Sequence, residues 1–345
     1  MTTAPRVVAE YGQTMKGSIE VAHRQVDAAA GAGCWGWKTQ LLTPERIAAP
    51  CTPRYWSHGK ELDQRDAFTT AGLIPYAAWQ EVADHALEVG LTFVATPFDL
   101  EAVDVLARMG ATMKVASGDL TNVALLRACA ATGRPLIVST GAATDFEVDA
   151  AINLVWDTAP AGPGFDGTVW LACSLVYPCP PRAAHVARVR TLAGCVPWPD
   201  SAGYSDHVGT PDTAMVATAA GATMLEVHAT LDPGDGMVCA DDAMALDPDR
   251  LAAYVDAANR AALLLGSPLL EPDPLELPAR RGARRSLFWT TDLAPGAVVT
   301  AGHLEALRPA GAGADASQWD RVVGGVLRLA VRAGDPVDVW SLVND

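Results

Sequence analysis

From Arg6 to Leu265, short apolar runs alternate with stretches of helical spacing, and that alternation leaves a chain few folds to choose from. Runs at Arg6–Tyr11, Cys34–Gln40, Leu91–Thr96, Thr112–Ser117, Pro135–Thr140, Thr168–Val176, Cys195–Gly203 and Thr223–His228 read as strands, each with a helical pattern behind it. Gly17-Ser18 opens the first helix, with Ile19, Ala22, His23 and Val26 on one face, and the last runs from Asp249 to Leu265 and stops at Gly266. Eight parallel strands can close into a barrel or lie in an open doubly wound sheet. No GxGxxG follows the first strand, and polar residues recur at strand ends along the whole chain, as a closed barrel requires. The spacing predicts a (β/α)8 TIM barrel over residues 1–266.

Two regions break the rhythm. Residues 41–75 are rich in Pro, Arg and aromatics, and an insertion of that length is commonly a pocket wall or lid. Residues 267–285 contain four prolines and two Arg-Arg pairs, a linker composition. Beyond them, residues 286–345 carry short β-like runs (SLFWTTDL, AVVT, VLRLAV, VDVW) separated by Pro-Gly, Ala-Gly and Gly-Asp turns, which predicts a separate small β-rich domain.

Composition narrows the partners. Half of the 345 residues are hydrophobic and 19% charged, so the chain can bury a substantial core. A formal net charge of -15 argues against a broad surface for nucleic acid or anionic lipid, and an anionic substrate needs a local basic pocket. No apolar stretch reaches the ~20 residues that span a bilayer, and the N-terminal residues lack signal-peptide character, so a cytoplasmic location with no membrane partner is expected. The seven cysteines form no CxxC pair and read as small buried hydrophobes.

In such a barrel the chemistry sits where strands give way to the following loops. Those positions hold Glu10; Lys38 and Gln40; Thr96; Lys114, Ser117 and Asp119; Ser139 and Thr140; Ser174 and Tyr177; Ser205, Asp206 and His207; and Glu226 and His228. Lysine occurs only at 16, 38, 60 and 114, and two of those four lie in strands. A buried lysine must meet an anion, which makes Lys38 and Lys114 ligands for a phosphate or carboxylate, with Ser117, Ser139 and Ser205 as hydroxyl donors. The alternative is a pair of salt bridges to barrel carboxylates such as Glu10 and Glu226. His207 and His228 end adjacent strands, so their imidazoles can converge on one divalent ion. Two imidazoles with nearby carboxylates and open positions suit Mn²⁺, with Mg²⁺ or Co²⁺ as alternatives, better than closed tetrahedral zinc.

At these residues the chain resembles the sialic acid synthase family, through AEYGQTMKGS (9–18), WKTQ (37–40), ATPFD (95–99), MKVASGDLTN (113–122), IVSTGAAT (137–144), ACSLVYPCPP (172–181), GYSDHVG (203–209) and LEVHATLD (225–232). Residues from Arg284 onward resemble that family's antifreeze-like (SAF, β-clip) domain. The resemblance implies a synthase that condenses phosphoenolpyruvate with a sugar or sugar-like aldehyde to a 2-keto-3-deoxy acid and releases phosphate. It implies that His207 and His228 hold the metal, that Glu10 orients water or substrate, and that Lys38, Lys114, Ser117, Ser139 and Ser205 cradle the donor. Gln40, Asp119, Tyr177 and Asp241 then face the aldehyde, with Thr96 as a further phosphate candidate. It further implies a domain-swapped homodimer in which Arg308 enters the partner's site. The chain departs from the family at Thr14, Met15, Thr39, Asp119, Ala172, Leu175 and the CADD loop around Asp241. Retained metal pair, lysines and serines with altered neighbours imply the same chemistry on an unusual aldehyde. A related metal-dependent aldolase or lyase with another donor, or a non-catalytic binding protein, stays open beside it.

Overall fold

The computed structural model describes residues 3–343 except 51, 53–54, 58–59, 71, 161–166, 197, 199 and 234–243. Two compact units make up the chain, residues 1–267 and 268–345.

The first unit is a closed barrel of parallel strands: β1 (Arg6–Glu10), β2 (Gly36–Leu41), β3 (Thr92–Pro97), β4 (Thr112–Val115), β5 (Leu136–Ser139), β6 (Thr168–Cys173), β7 (Ala202–Asp206) and β8 (Met224–His228). Each strand pairs with its sequence neighbours, and β1 closes the ring between β2 and β8. Helices α1 (Ile19–Gly31), α2 (Trp79–Glu88), α3 (Leu100–Met109), α4 (Val123–Ala131), α5 (Asp145–Thr158), α6 (Arg188–Cys195), α7 (Pro211–Ala219) and α8 (Pro248–Leu265) follow the strands in turn. Their amphipathic faces bury the main core against the outside of the barrel. Ser18, Asp99, Asn122, Thr144, Thr210 and Asp247 each accept a backbone N–H of the first turn of their helices. Such caps satisfy orphan donors and fix where each loop ends. Inside the barrel, Val8, Val94, Ile137, Val169, Leu171 and Met224 form a separate apolar plug. The barrel interior is therefore solid except at the strand ends.

Three expectations need correction. The seventh strand is not at 195–203: Cys195 closes α6 and the strand begins at Ala202. Its residues are AGYSD, and Gly203 passes Leu171 and the Met224 carbonyl closely: a Cβ there would stand 2.6 Å from Leu171 Cδ2. The sixth strand stops at Cys173, since the Val176 N–H turns back to the Ser174 carbonyl at 2.8 Å and takes the chain out of the sheet. Residues 41–75 are not wholly irregular: they include helices Pro44–Ile47 and Gln64–Thr70 and an antiparallel pair, Tyr55–Ser57 with Lys60–Leu62.

The second unit has its own core around Leu287, Trp289, Val299, Val322, Leu327 and Val337. Its strands β9 (Ser286–Trp289) and β10 (Leu304–Leu307) pair antiparallel, as do β11 (Val326–Leu327) and β12 (Leu342–Val343). The runs AVVT and VDVW contribute no named strand, although Val298 bridges Val326. The segment expected to be a linker, 267–285, holds a helical turn at Pro274–Glu276 and a helix at Leu277–Ala283. Pro274 and Pro278 sit in first-turn positions, where a missing N–H costs no hydrogen bond. No described helix is long and apolar enough to cross a membrane.

Candidate active site

Strand register builds the site. Glu10 at the end of β1 lies beside Lys38 on β2 and His228 on β8, while Glu226 on β8 lies beside Ser205 on β7, and Ser205 beside Cys173 on β6. Partners in parallel register share a face, so these side chains form one polar layer at the strand ends. All of them are buried.

The layer is electrically paired. Lys38 and Glu10 form a close ion pair, and the Glu10 carboxylate also accepts the Gly12 N–H. Lys114 Nζ lies 3.6 Å from Glu226 Oε2, and Glu226 Oε1 accepts from the Ser205 hydroxyl at 3.1 Å. Burial by itself would raise the Glu226 carboxyl, but the Lys114 and Lys38 ammonium groups, with His228 and Ser205, hold it below the usual carboxylate range. The salt-bridge alternative for both lysines is thus realised in this structure. Each lysine thus faces a carboxylate in a buried pocket, where an ion left alone would cost several kcal/mol.

The imidazoles stand next to them. His207 lies one residue beyond β7, and its ring centroid is 5.4 Å from that of His228. The Tyr177 ring packs 4.1 Å from His207 and meets His228 edge-on at 6.1 Å. His207 Nδ1 is 2.7 Å from the Ser174 carbonyl. A carbonyl can only accept, so Nδ1 carries a proton, which leaves Nε2 as the nitrogen that would face a metal ion. Burial, then the nearby Lys38 charge, pushes the His228 pKa down to about 3, against the pull of Glu226. The His228 ring therefore suits an ion that needs neutral imidazole. Among the described residues, no cluster of three His, Cys, Asp or Glu is gathered to hold a metal. The two histidines would fit a divalent ion as a partial ligand set, with its other positions left for water or substrate oxygens.

The remaining expected residues divide. Ser139 ends β5, and its buried hydroxyl has no hydrogen-bond partner among the described residues. Ser117 Oγ accepts the Gly141 N–H at 2.9 Å, an approach that a Cβ on Gly141 would obstruct at 2.8 Å. Thr96 is buried opposite Gln40 in register, and the Gln40 carbonyl accepts from Gln13. Asp119 is half-buried in the turn after β4; burial raises its pKa while a hydrogen bond from Asn122 opposes the shift. Asp241 lies outside the described residues. Arg308 belongs to the second unit, where it is exposed and its Nε donates to the Ala283 carbonyl at 3.0 Å.

Sequence reasoning missed Cys173, whose Sγ is 3.8 Å from His207 Nδ1 and whose thiol burial pushes up to about 11. It also assigned no role to Asp206, buried directly before His207. Burial raises that carboxyl, opposed by hydrogen bonds from Gly209, Val208 and Tyr254.

Comparison with known proteins gives the site a context. The model of the NeuB family matches residues 25–269, and that of the SAF domain residues 284–338. The chain is 30% identical to N,N'-diacetyllegionaminic acid synthase of Legionella pneumophila over 98% of this chain and 94% of that one. It is 26% identical to pseudaminic acid synthase of Helicobacter pylori over 90% and 89%. Among solved structures, the N-acetylneuraminic acid synthetase of Leptospira borgpetersenii superposes with a TM-score of 0.71 at 26% identity, covering 81% of this chain and 90% of that one.

Proposed function

This chain belongs to the NeuB family, and from that premise we propose that it condenses phosphoenolpyruvate with a sugar or sugar-like aldehyde to a 2-keto-3-deoxy acid, releasing phosphate. The observation that carries the reading is the buried polar layer: two lysines paired with carboxylates at the barrel mouth, next to two imidazoles. Named relatives make different acid sugars on this architecture, which supports a shared reaction with a variable acceptor.

Lys38 and Lys114 would each turn part of their charge from Glu10 and Glu226 to the donor's phosphate and carboxylate, with Ser117, Ser139 and Ser205 donating to its oxygens. The buried, partnerless Ser139 hydroxyl is suited to that role. Held against the donor, the aldehyde carbon is attacked by the enol carbon, C3, forming the new C–C bond, and the aldehyde oxygen takes up a proton. Water adds at C2, oriented by Glu10, and the tetrahedral carbon expels phosphate to leave the ketone. A divalent ion held by His207 and His228, Mn²⁺ or else Mg²⁺ or Co²⁺, would supply Lewis-acid polarisation of the aldehyde. Gln40, Asp119, Tyr177 and Asp241 are assigned to the acceptor side, Thr96 to the donor's phosphate, and Arg308 to the site of a second copy in a domain-swapped dimer.

The decisive experiment mixes the full chain and Mn²⁺ with phosphoenolpyruvate and a panel of aldoses, following phosphate release and product mass together. Phosphate released in step with a product carrying three added carbons is expected. Turnover of aldehydes with pyruvate but not phosphoenolpyruvate would replace the reading with an aldolase, and binding without turnover would reduce it to a binding protein.

A further inference from the structure

The turn that carries His207 is braced from behind, and the brace reaches both histidines. Asp206 is almost fully buried, and its Oδ1 accepts the N–H groups of Val208 at 2.8 Å and Gly209 at 3.1 Å. Those bonds fold the chain back directly after His207, with Gly209 at a φ of +64° completing the turn. Asp206 Oδ2 accepts from the hydroxyl of Tyr254, 3.0 Å away and wholly buried in α8. The same helix is tied to the other histidine: the Leu246 N–H donates to the His228 carbonyl at 2.8 Å, and the Thr230 N–H to the Leu246 carbonyl at 2.9 Å, just before Asp247 caps α8. One rigid element therefore holds the backbone of His228 at its entry and the turn of His207 one to two helical turns later.

We propose that Tyr254 is a positioning residue that acts through Asp206: α8, anchored to His228 at its start, uses the Tyr254–Asp206 bond to set His207 at the spacing the imidazole pair needs for a divalent ion. This rests on the reading that the two histidines hold such an ion. Neither residue is assigned to substrate. Loss of an outer-sphere partner of a metal-binding histidine typically weakens binding about 10- to 100-fold.

The test uses the full chain and two readouts. Mn²⁺ affinity is measured by electron paramagnetic resonance of the free ion for wild type, His207→Ala, Tyr254→Phe, Asp206→Asn and the Tyr254→Phe/Asp206→Asn double variant. The His207 ring tautomer is read by nitrogen-15 NMR in the metal-free protein. Tyr254→Phe is expected to weaken Mn²⁺ about 10-fold or more and to turn a single Nδ1–H signal into a mixture. Because both residues act through one link, the double variant should lose no more than the worse single. A Tyr254→Phe protein that melts earlier yet keeps wild-type Mn²⁺ affinity and the wild-type tautomer overturns the proposal and leaves Tyr254 a packing residue. Wild-type Mn²⁺ binding that survives His207→Ala counts instead against the metal reading, and the tautomer then decides the positioning by itself. If Tyr254→Phe does not fold, Asp206→Asn, which keeps an acceptor for the turn, carries the same two measurements.

Discussion

Lys114 and Glu226 are sealed from solvent together, with Nζ 3.6 Å from Oε2, so each charge depends on the other. Lys114→Met should destabilise the fold by about 3–5 kcal/mol, the usual cost of leaving one member of a buried pair alone. Adding Glu226→Gln should recover most of that loss in urea titrations; a single variant as stable as wild type would mean that Lys38 alone compensates Glu226. His228 makes a separate prediction through pH. Its pKa falls from 6.5 to about 3 on folding, so between those values the unfolded chain binds a proton that the folded chain refuses. Stability from this group is complete above pH 6.5 and is lost as pH falls toward 3, at up to about 1.4 kcal/mol per pH unit. His228→Gln should flatten that slope by about one proton, measured as denaturation midpoints across the range. The lysines and histidines were legible in the sequence because such side chains are rarely placed in buried strands without a purpose. Asp206 was legible as a polar strand-end residue, but its bond to Tyr254 was not, since that bond joins positions 48 apart on different elements.

At the scale of elements, alternation identified every barrel strand but misplaced the seventh. β7 is not an apolar run: it reads AGYSD, with Gly203 where the backbone crosses Leu171 and the Met224 carbonyl at close range. Gly203→Ala should therefore cost about 1–3 kcal/mol by overpacking, read as a lower denaturation midpoint with the slope unchanged. An Ala variant of wild-type stability would show that β6 and β8 can move apart locally. Proline content suggested a linker at 267–285, and within that segment Pro278, in a first-turn position, permits the helix Leu277–Ala283.

At the scale of the molecule, the proposed exchange of small domains between two copies has a direct assay. His207→Ala and Arg308→Ala are each expected to be nearly inactive alone, while subunits exchanged between them should form mixed dimers in which one of the two sites regains both residues. Recovered activity on mixing is the expected outcome; full activity in a monomer, or none despite proven exchange, would place Arg308 outside the site. The sequence by itself determined the barrel, the attached β-rich unit, the family and the polar residues of the strand ends, because periodicity and residue type record which faces are buried and which strand ends are charged. Only the tertiary structure decided how those residues partner. Lys38 with Glu10, Lys114 with Glu226, and Tyr254 behind Asp206 are set by strand register and by the closure of α8 onto the barrel. Register arises from packing of the whole ring, which no local stretch of sequence encodes.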